Sequence, residues 1–160
     1  MGFYIYLIAA AAAVGGLLFG YDVGVISGVL IVPSFKHRFN PEGNTFKEGF
    51  IVSSLVLGCF LGSLGASYLA DRFGRRTSIL IGAITFTVGG ALQASAYQIG
   101  QLFAGRIVAG LAVGVLSMVV PLYQSEIAPK DIRGKLVSMR QLAITIGILV
   151  SFLVILAWQN

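Results

Sequence analysis

The sequence predicts an all-α integral membrane fold, a bundle of about five transmembrane helices. Three observations lead there. The 160 residues are 57% hydrophobic and only 11% charged, whereas a soluble domain carries roughly 25% charged residues over its surface. The mean hydropathy is +0.91, so lipid must serve as solvent for much of the chain. Finally, the apolar residues gather into five long runs, and most of the cations fall into two of the short segments between them.

The runs lie at about 4–32, 50–70, 78–98, 102–124 and 136–158, each long enough for a hydrocarbon core of about 30 Å. In the first, Gly16, Gly20, Gly24 and Gly28 recur every fourth residue, a stripe that admits another helix at close range. The segment from Pro33 to Gly49 clusters Pro, Asn and Gly at 40–44 and reads as a solvated surface loop. The second run carries a further small-residue stripe, Gly58, Gly62, Ala66 and Ala70, which suits packing. After it come Asp71, Arg72, Phe73, Gly74, Arg75 and Arg76, a tight turn with three arginines. Around Gln98 to Gln101 no charge occurs, while the segment from Glu126 to Arg140 holds Lys130, Arg133, Lys135 and Arg140. Two spans separate the arginine turn from this last segment, so both lie on one side. Counting Lys and Arg makes that side cytoplasmic, with the N-terminus inside. Five spans would then leave Asn160 outside.

Other function classes lack their residues. Eleven Lys and Arg exceed six Asp and Glu, but the placement of the cations orients a membrane protein rather than binding nucleic acid. With one cysteine, Cys59, and one histidine, His37, neither a disulfide framework nor a Cys or His metal site can form within the chain. No metal, cofactor or nucleophile–base constellation is expected, and the apolar N-terminus, without a basic leader, is too long for a signal peptide.

Polar residues inside the spans are the functional candidates. At 100° per residue, Asp22 lies opposite Gly20 and Gly24 on the first helix. One face of that helix therefore admits a partner, and the other carries a carboxylate that cannot face lipid. A central ionisable group costs at least about 2.5–3.5 kcal/mol on insertion scales. Arg106 opens the fourth span, and a pair with Asp22 would relieve both desolvation costs. Burial and pairing act on the carboxyl in opposite senses, as proton coupling requires; a static salt bridge between spans one and four is the other reading. In the fifth span Gln141, Ile144, Thr145 and Ile148 share a face. The Gln141 amide suits a sugar hydroxyl, or equally an interhelical hydrogen bond. At the arginine turn, Asp71, Arg75 and Arg76 offer either a charge lock on helix ends or topology signalling with lipid headgroup contact. Glu126 and Arg133 flank Pro129 at the next turn on that side, where a lock between the two turns is possible.

Four motifs occur together in register. Gly15-Gly16-Leu17-Leu18-Phe19-Gly20-Tyr21-Asp22 with Ile26-Ser27-Gly28 resembles the first helix of the sugar porters. Asp71-Arg72-Phe73-Gly74-Arg75-Arg76 resembles the signature turn of the major facilitator superfamily. Gly105-Arg106, with Pro121 to Pro129 and Arg133-Gly134, resembles the sugar-porter fourth helix and the turn after it. Gln141-Leu142 and Gly147 are similar to the fifth helix.

The resemblance implies a partial N-terminal half of a twelve-helix major-facilitator bundle. Its second half, which supplies most sugar contacts, and the sixth helix are absent from these residues. It further implies a plasma-membrane secondary transporter of a hexose or pentose, working by alternating access and coupled to a proton. Asp22 and Arg106 would be the coupling pair, and Phe19 and Gln141 would contact the sugar. Ile148 occupies a substrate-cavity position at which members differ, so specificity stays open. Asp71, Arg75, Arg76, Glu126 and Arg133 would form the cytoplasmic charge network. Ser67 departs from the usual glycine before the signature turn. A passive facilitator also fits, since some facilitators keep the first-helix aspartate, and so does a fragment unable to transport alone.

Overall fold

The computed structural model describes residues 2–29 and 45–159, with side-chain environments for 8–28 and 46–157. Five helices run through them: α1 Gly2–Val29, α2 Thr45–Phe73, α3 Arg75–Ala94, α4 Ile99–Ile127 and α5 Lys130–Gln159. All five are long and apolar enough to cross a membrane. No strand occurs among the described residues. Of the solvated loop expected from Pro33 to Gly49, residues 33–44 lie outside the described residues, whereas 45–49 already belong to α2.

The helices outrun the apolar windows. The segment expected as a loop from Glu126 to Arg140 is helical except at Ala128 and Pro129, and only Gly74 interrupts the arginine turn. The physical reason is that hydropathy reports where lipid is, while the helix stops only where its backbone bonds stop. At 1.5 Å per residue the 30 residues of α5 span about 45 Å, more than the hydrocarbon core, so its charged N-terminal end reaches the headgroup zone.

Two compact units divide the chain, Met1–Phe35 with Pro121–Asn160 and Lys36–Val120. In the first, α1 lies along α5 with their glycines in the seam. A Cβ at Gly20 would collide with the backbone carbonyl of Ile144, and one at Gly147 with that of Leu17. Gly16 faces Arg140 and Ile144, Gly24 faces Ser151, and Gly28 faces Ile155. The numbers rise together, so the two helices run parallel. Below the seam Ala9, Ala128 and Leu136 form a small buried cluster with Ile132 against it.

In the second unit α4 meets both neighbours. Gly110 and Gly114 lie on the α2 backbone at Leu55 and Cys59, and Gly58 and Gly62 lie on α4 in return. Gly105 rests on Gly89 and Gln93 of α3, and Gly89 on Ala109. Further along, Ala66, Ala70 and Val119 are buried together. Hydroxyls bond back into their own helices: Ser54 to the Ile51 carbonyl at 2.7 Å and Thr85 to that of Ile81 at 2.8 Å. Lipid offers no alternative acceptor. Outward, Val56, Phe60 and Leu64 of α2 and Leu80, Ile84 and Val88 of α3 stand 50–66% exposed. Continuous apolar stripes of this size mark a lipid-facing surface.

A branched side chain at Gly20 would have to push apart two backbones rather than a flexible side chain. Gly20→Val should destabilise the protein by about 2 kcal/mol or more, whereas Gly15→Ala, with open space at its Cβ, should be tolerated. Thermal unfolding of both variants in the same detergent checks this.

Candidate functional site

On α1, the seam fixes which residues face elsewhere. Phe19 and Asp22 are three residues apart, on the side of the helix away from Gly20 and Gly24, and both are half-buried. On α5, Gln141 is exposed on the flank of the seam, and Ile148 is half-buried, its carbonyl beside Gly24. Thr145 is occupied locally, its hydroxyl donating to the Gln141 carbonyl at 3.1 Å. Phe19, Asp22, Gln141 and Ile148 all belong to the first unit. Their polar groups sit beside an apolar seam built by their own helices. Between them these side chains carry hydrogen-bond donors and acceptors, an aromatic ring and one carboxylate, but Phe19 and Asp22 leave α1 on the side opposite α5.

Arg106 belongs to the second unit. It is 2% exposed, in a stripe of α4 with Leu102, Ala109 and Val113, all 7% exposed or less. It is the largest of the nearly inaccessible side chains. A guanidinium at such depth is stable only among acceptors, and truncating any partner of it is strongly destabilising.

The arginine turn depends on Gly74, whose φ of 81° and ψ of 158° belong to a region open essentially to glycine alone. The turn is then fastened from both sides. Arg75 Nη1 donates to Asp71 Oδ1 at 3.0 Å and to the Ala70 carbonyl at 3.0 Å, tying the start of α3 to the end of α2. Ser78 bonds the Gly74 carbonyl through both its amide, at 3.1 Å, and its hydroxyl, at 2.9 Å. Arg72 donates to the Tyr68 hydroxyl, its guanidinium carbon 5.8 Å from the ring centroid. The Asp71–Arg75 pair is largely solvated, at 74% and 28% side-chain exposure. Its effect is therefore on the geometry of the turn more than on stability.

At the other turn Arg133 Nε donates to the Ala128 carbonyl at 2.9 Å. Asp131, in the first turn of α5, is placed favourably for the helix dipole. Arg76, Glu126 and Arg133 are exposed. Asp71, Arg75 and Arg76 lie in the second unit, Glu126 and Arg133 in the first.

Two residues escape sequence reasoning. Arg140 lies ten residues into α5 rather than in a loop, half-buried, with its side chain against Gly16. Gln124 of α4 is 3% exposed, and neither its amide nitrogen nor its amide oxygen has a hydrogen-bond partner among the described residues. Helical continuity through Lys130 would have revealed the first; nothing in the hydropathy marks the second. Among the described residues no three of His, Cys, Asp or Glu come together as metal ligands.

The Gly74 geometry separates backbone from charge. Gly74→Ala should cost about 1–3 kcal/mol, and Asp71→Asn less than about 1 kcal/mol. Unfolding midpoints of the two variants, measured side by side, give the order.

Comparison with known proteins gives a consistent result. The profile described as sugar (and other) transporter matches residues 8–160. The glucose transporter GlcP of Staphylococcus epidermidis is 45% identical over 155 residues, covering 97% of this chain and 34% of the relative. The galactose-proton symporter of Escherichia coli is 44% identical over 148 residues, covering 92% and 31%. The chain thus spans about a third of the length of these relatives. Among solved structures, the major facilitator superfamily proton:xylose symporter XylE of E. coli superposes with a TM-score of 0.85 at 36% identity, over 96% of this chain and 37% of that one.

Proposed function

We propose that this chain, which belongs to the sugar (and other) transporter family, carries part of the sugar pathway of a proton-coupled monosaccharide transporter. Its five helices have the fold of the N-terminal part of a major facilitator, and it is an integral multi-pass membrane protein. The relatives are transporters rather than enzymes. In the proposed cycle a C-terminal half supplies the opposite wall of the cavity, and sugar is exposed alternately to the two sides. Gln141 hydrogen-bonds a sugar hydroxyl, Phe19 stacks on the ring, and Ile148 shapes the cavity beside them. Asp22 carries the proton, and protonation of its carboxyl competes with its ion pair to Arg106. Asp71, Arg75, Arg76, Glu126 and Arg133 form the cytoplasmic charge network, which holds the transporter closed on that side between turnovers.

The observation that carries the reading is a carboxylate on the non-seam face of a membrane helix. Asp22 is half-buried, and the seam that packs α1 leaves it out. A carboxylate that is not needed for packing, yet sits within a span, marks an ion pathway by default. The relationship to the galactose-proton symporter of E. coli supports the same assignment. A passive facilitator is the second reading, favoured by the match to a protein named only as a glucose transporter.

Uptake into vesicles by the complete protein tests these roles. Asp22→Asn fixes the neutral form, so accumulation against a gradient and its pH dependence should disappear while sugar exchange survives. Gln141→Ala should raise the apparent substrate constant about tenfold or more, the scale of a lost hydrogen bond to substrate, at normal abundance. Proton-driven accumulation persisting in Asp22→Asn would establish the facilitator reading instead.

Orientation is proposed as N-terminus in, at the plasma membrane. The arginine turn and the Lys130–Lys135 start of α5 then face the cytoplasm. In a Cys59→Ser background, an impermeant thiol reagent added outside cells should label Tyr97→Cys and spare Thr77→Cys. The reverse pattern would invert the topology.

A further inference from the structure

We propose that Arg133 is a positioning residue, whose inner nitrogen, Nε, closes the joint between α4 and α5, a role separable from the charge it brings to the cytoplasmic network. The last four carbonyls of a helix have no amide partner within it and need another donor. At this joint the need is sharpened by Pro129, which has no N–H to offer. The Ala128 amide continues the α4 pattern, bonding the Gln124 carbonyl at 2.9 Å, and the Ile132 amide turns back on the Pro129 carbonyl at 3.1 Å. To the Ala128 carbonyl Arg133 Nε donates at 2.9 Å. The residue held in this way is a packing residue. Ala128 is 3% exposed and joins Ala9 of α1 and Leu136 of α5 in one buried cluster. Along both helices that cluster precedes the contacts of Gly16 and Gly20 with Arg140 and Ile144. It is therefore the first layer of the α1–α5 seam, and Arg133 fixes the residue that completes it.

The α2–α3 turn meets the same need with the other end of a guanidinium. The Ala70 carbonyl, five residues before Arg75, accepts from Arg75 Nη1 at 3.0 Å, and Ala70 is 2% exposed. Sequence spacing alone matches Asp71, Gly74 and Arg75 with Asp131, Gly134 and Lys135, which would make Lys135 the counterpart of Arg75. The hydrogen bonds make it Arg133 instead, five residues after Ala128. The two arginines differ in the atom they use. Arg75 commits a terminal nitrogen to both Ala70 and Asp71, whereas the Arg133 bond leaves both terminal nitrogens out of it.

That difference separates the two roles by substitution. A glutamine amide nitrogen stands as many bonds from Cα as arginine Nε, so Arg133→Gln keeps a donor for Ala128 and removes the charge. Lysine keeps the charge but places a methylene there, and its ammonium reaches the carbonyl only by bending back. The complete protein is compared as Arg133→Gln, Arg133→Lys and Arg133→Ala. The readouts are the unfolding midpoint in neutral detergent and sugar uptake into vesicles, normalised to folded protein. Positioning through Nε predicts that Arg133→Gln stays near the native midpoint while Arg133→Lys and Arg133→Ala both fall by a few degrees. The apparent substrate constant should follow the same order, rising about threefold in Lys and Ala, the scale of one neutral hydrogen bond. This second expectation rests on the sugar contacts proposed for α1 and α5; the midpoint order does not. Turnover should follow charge instead, with Lys above Gln. At Arg75 glutamine ends two bonds short of Nη1, so Arg75→Gln should fall with Arg75→Ala. The proposal is overturned if Arg133→Lys keeps the native midpoint while Arg133→Gln falls with Arg133→Ala, since charge alone would then account for the residue. It is equally overturned if all three keep the native midpoint. Midpoints in the expected order with equal turnover in Gln and Lys would uphold the joint and remove Arg133 from the charge network.

Discussion

Helices in lipid gain little by hiding apolar side chains from one another, because the acyl chains they leave are as apolar as the partner they meet. What remains is close contact, and in this protein close contact is made by absent side chains. The parallel seam of α1 and α5 depends on Gly20 against Ile144 and Gly147 against Leu17. The α4 contacts depend in the same way on Gly105, Gly110 and Gly114. Each contact brings backbone against backbone, where dispersion and weak Cα–H···O contacts accumulate over several turns. Every other feature is arranged around these seams.

The site follows from that constraint. A helix whose one face is occupied by a glycine seam has its remaining faces free for lipid or for water. Asp22 cannot face lipid without great cost, so the face it shares with Phe19 is marked for a polar interior. The same logic separates the roles of the hydroxyls and amides. Ser54, Thr85, Thr145 and Ser151 are satisfied within their own helices, whereas Gln141 stands exposed beside the seam. Gln124 and Arg140 fall in neither group, which is why they stand out.

The turns show a different economy of interactions. Between α2 and α3 a single glycine does the steric work, and Arg75 and Ser78 then fasten the backbone through Ala70, Asp71 and Gly74. Between α3 and α4, where no charge occurs, Gln101 closes the turn by donating to the Ser95 carbonyl at 3.1 Å. Charge thus fastens the turn between α2 and α3, and neutral hydrogen bonds suffice between α3 and α4.

From the sequence alone came the number of helices, their apolar character, the glycine stripe of α1 and the position of the arginine turn. Each of these is a local or periodic property: an apolar run, a four-residue spacing, a glycine between charged residues. The order of motifs also made the family legible, and with it the roles proposed for Asp22, Arg106 and Gln141. What the stripe packs against was not legible, because spacing says that a face is smooth and not which helix fills it. Helix ends were misplaced at Lys130 to Lys135, since hydropathy senses solvent rather than backbone bonding. For the same reason Arg140 read as a loop residue until the continuous α5 placed it inside a span. Gln124 was invisible altogether, because the burial of one amide depends on what packs around it, and only the tertiary structure decides that.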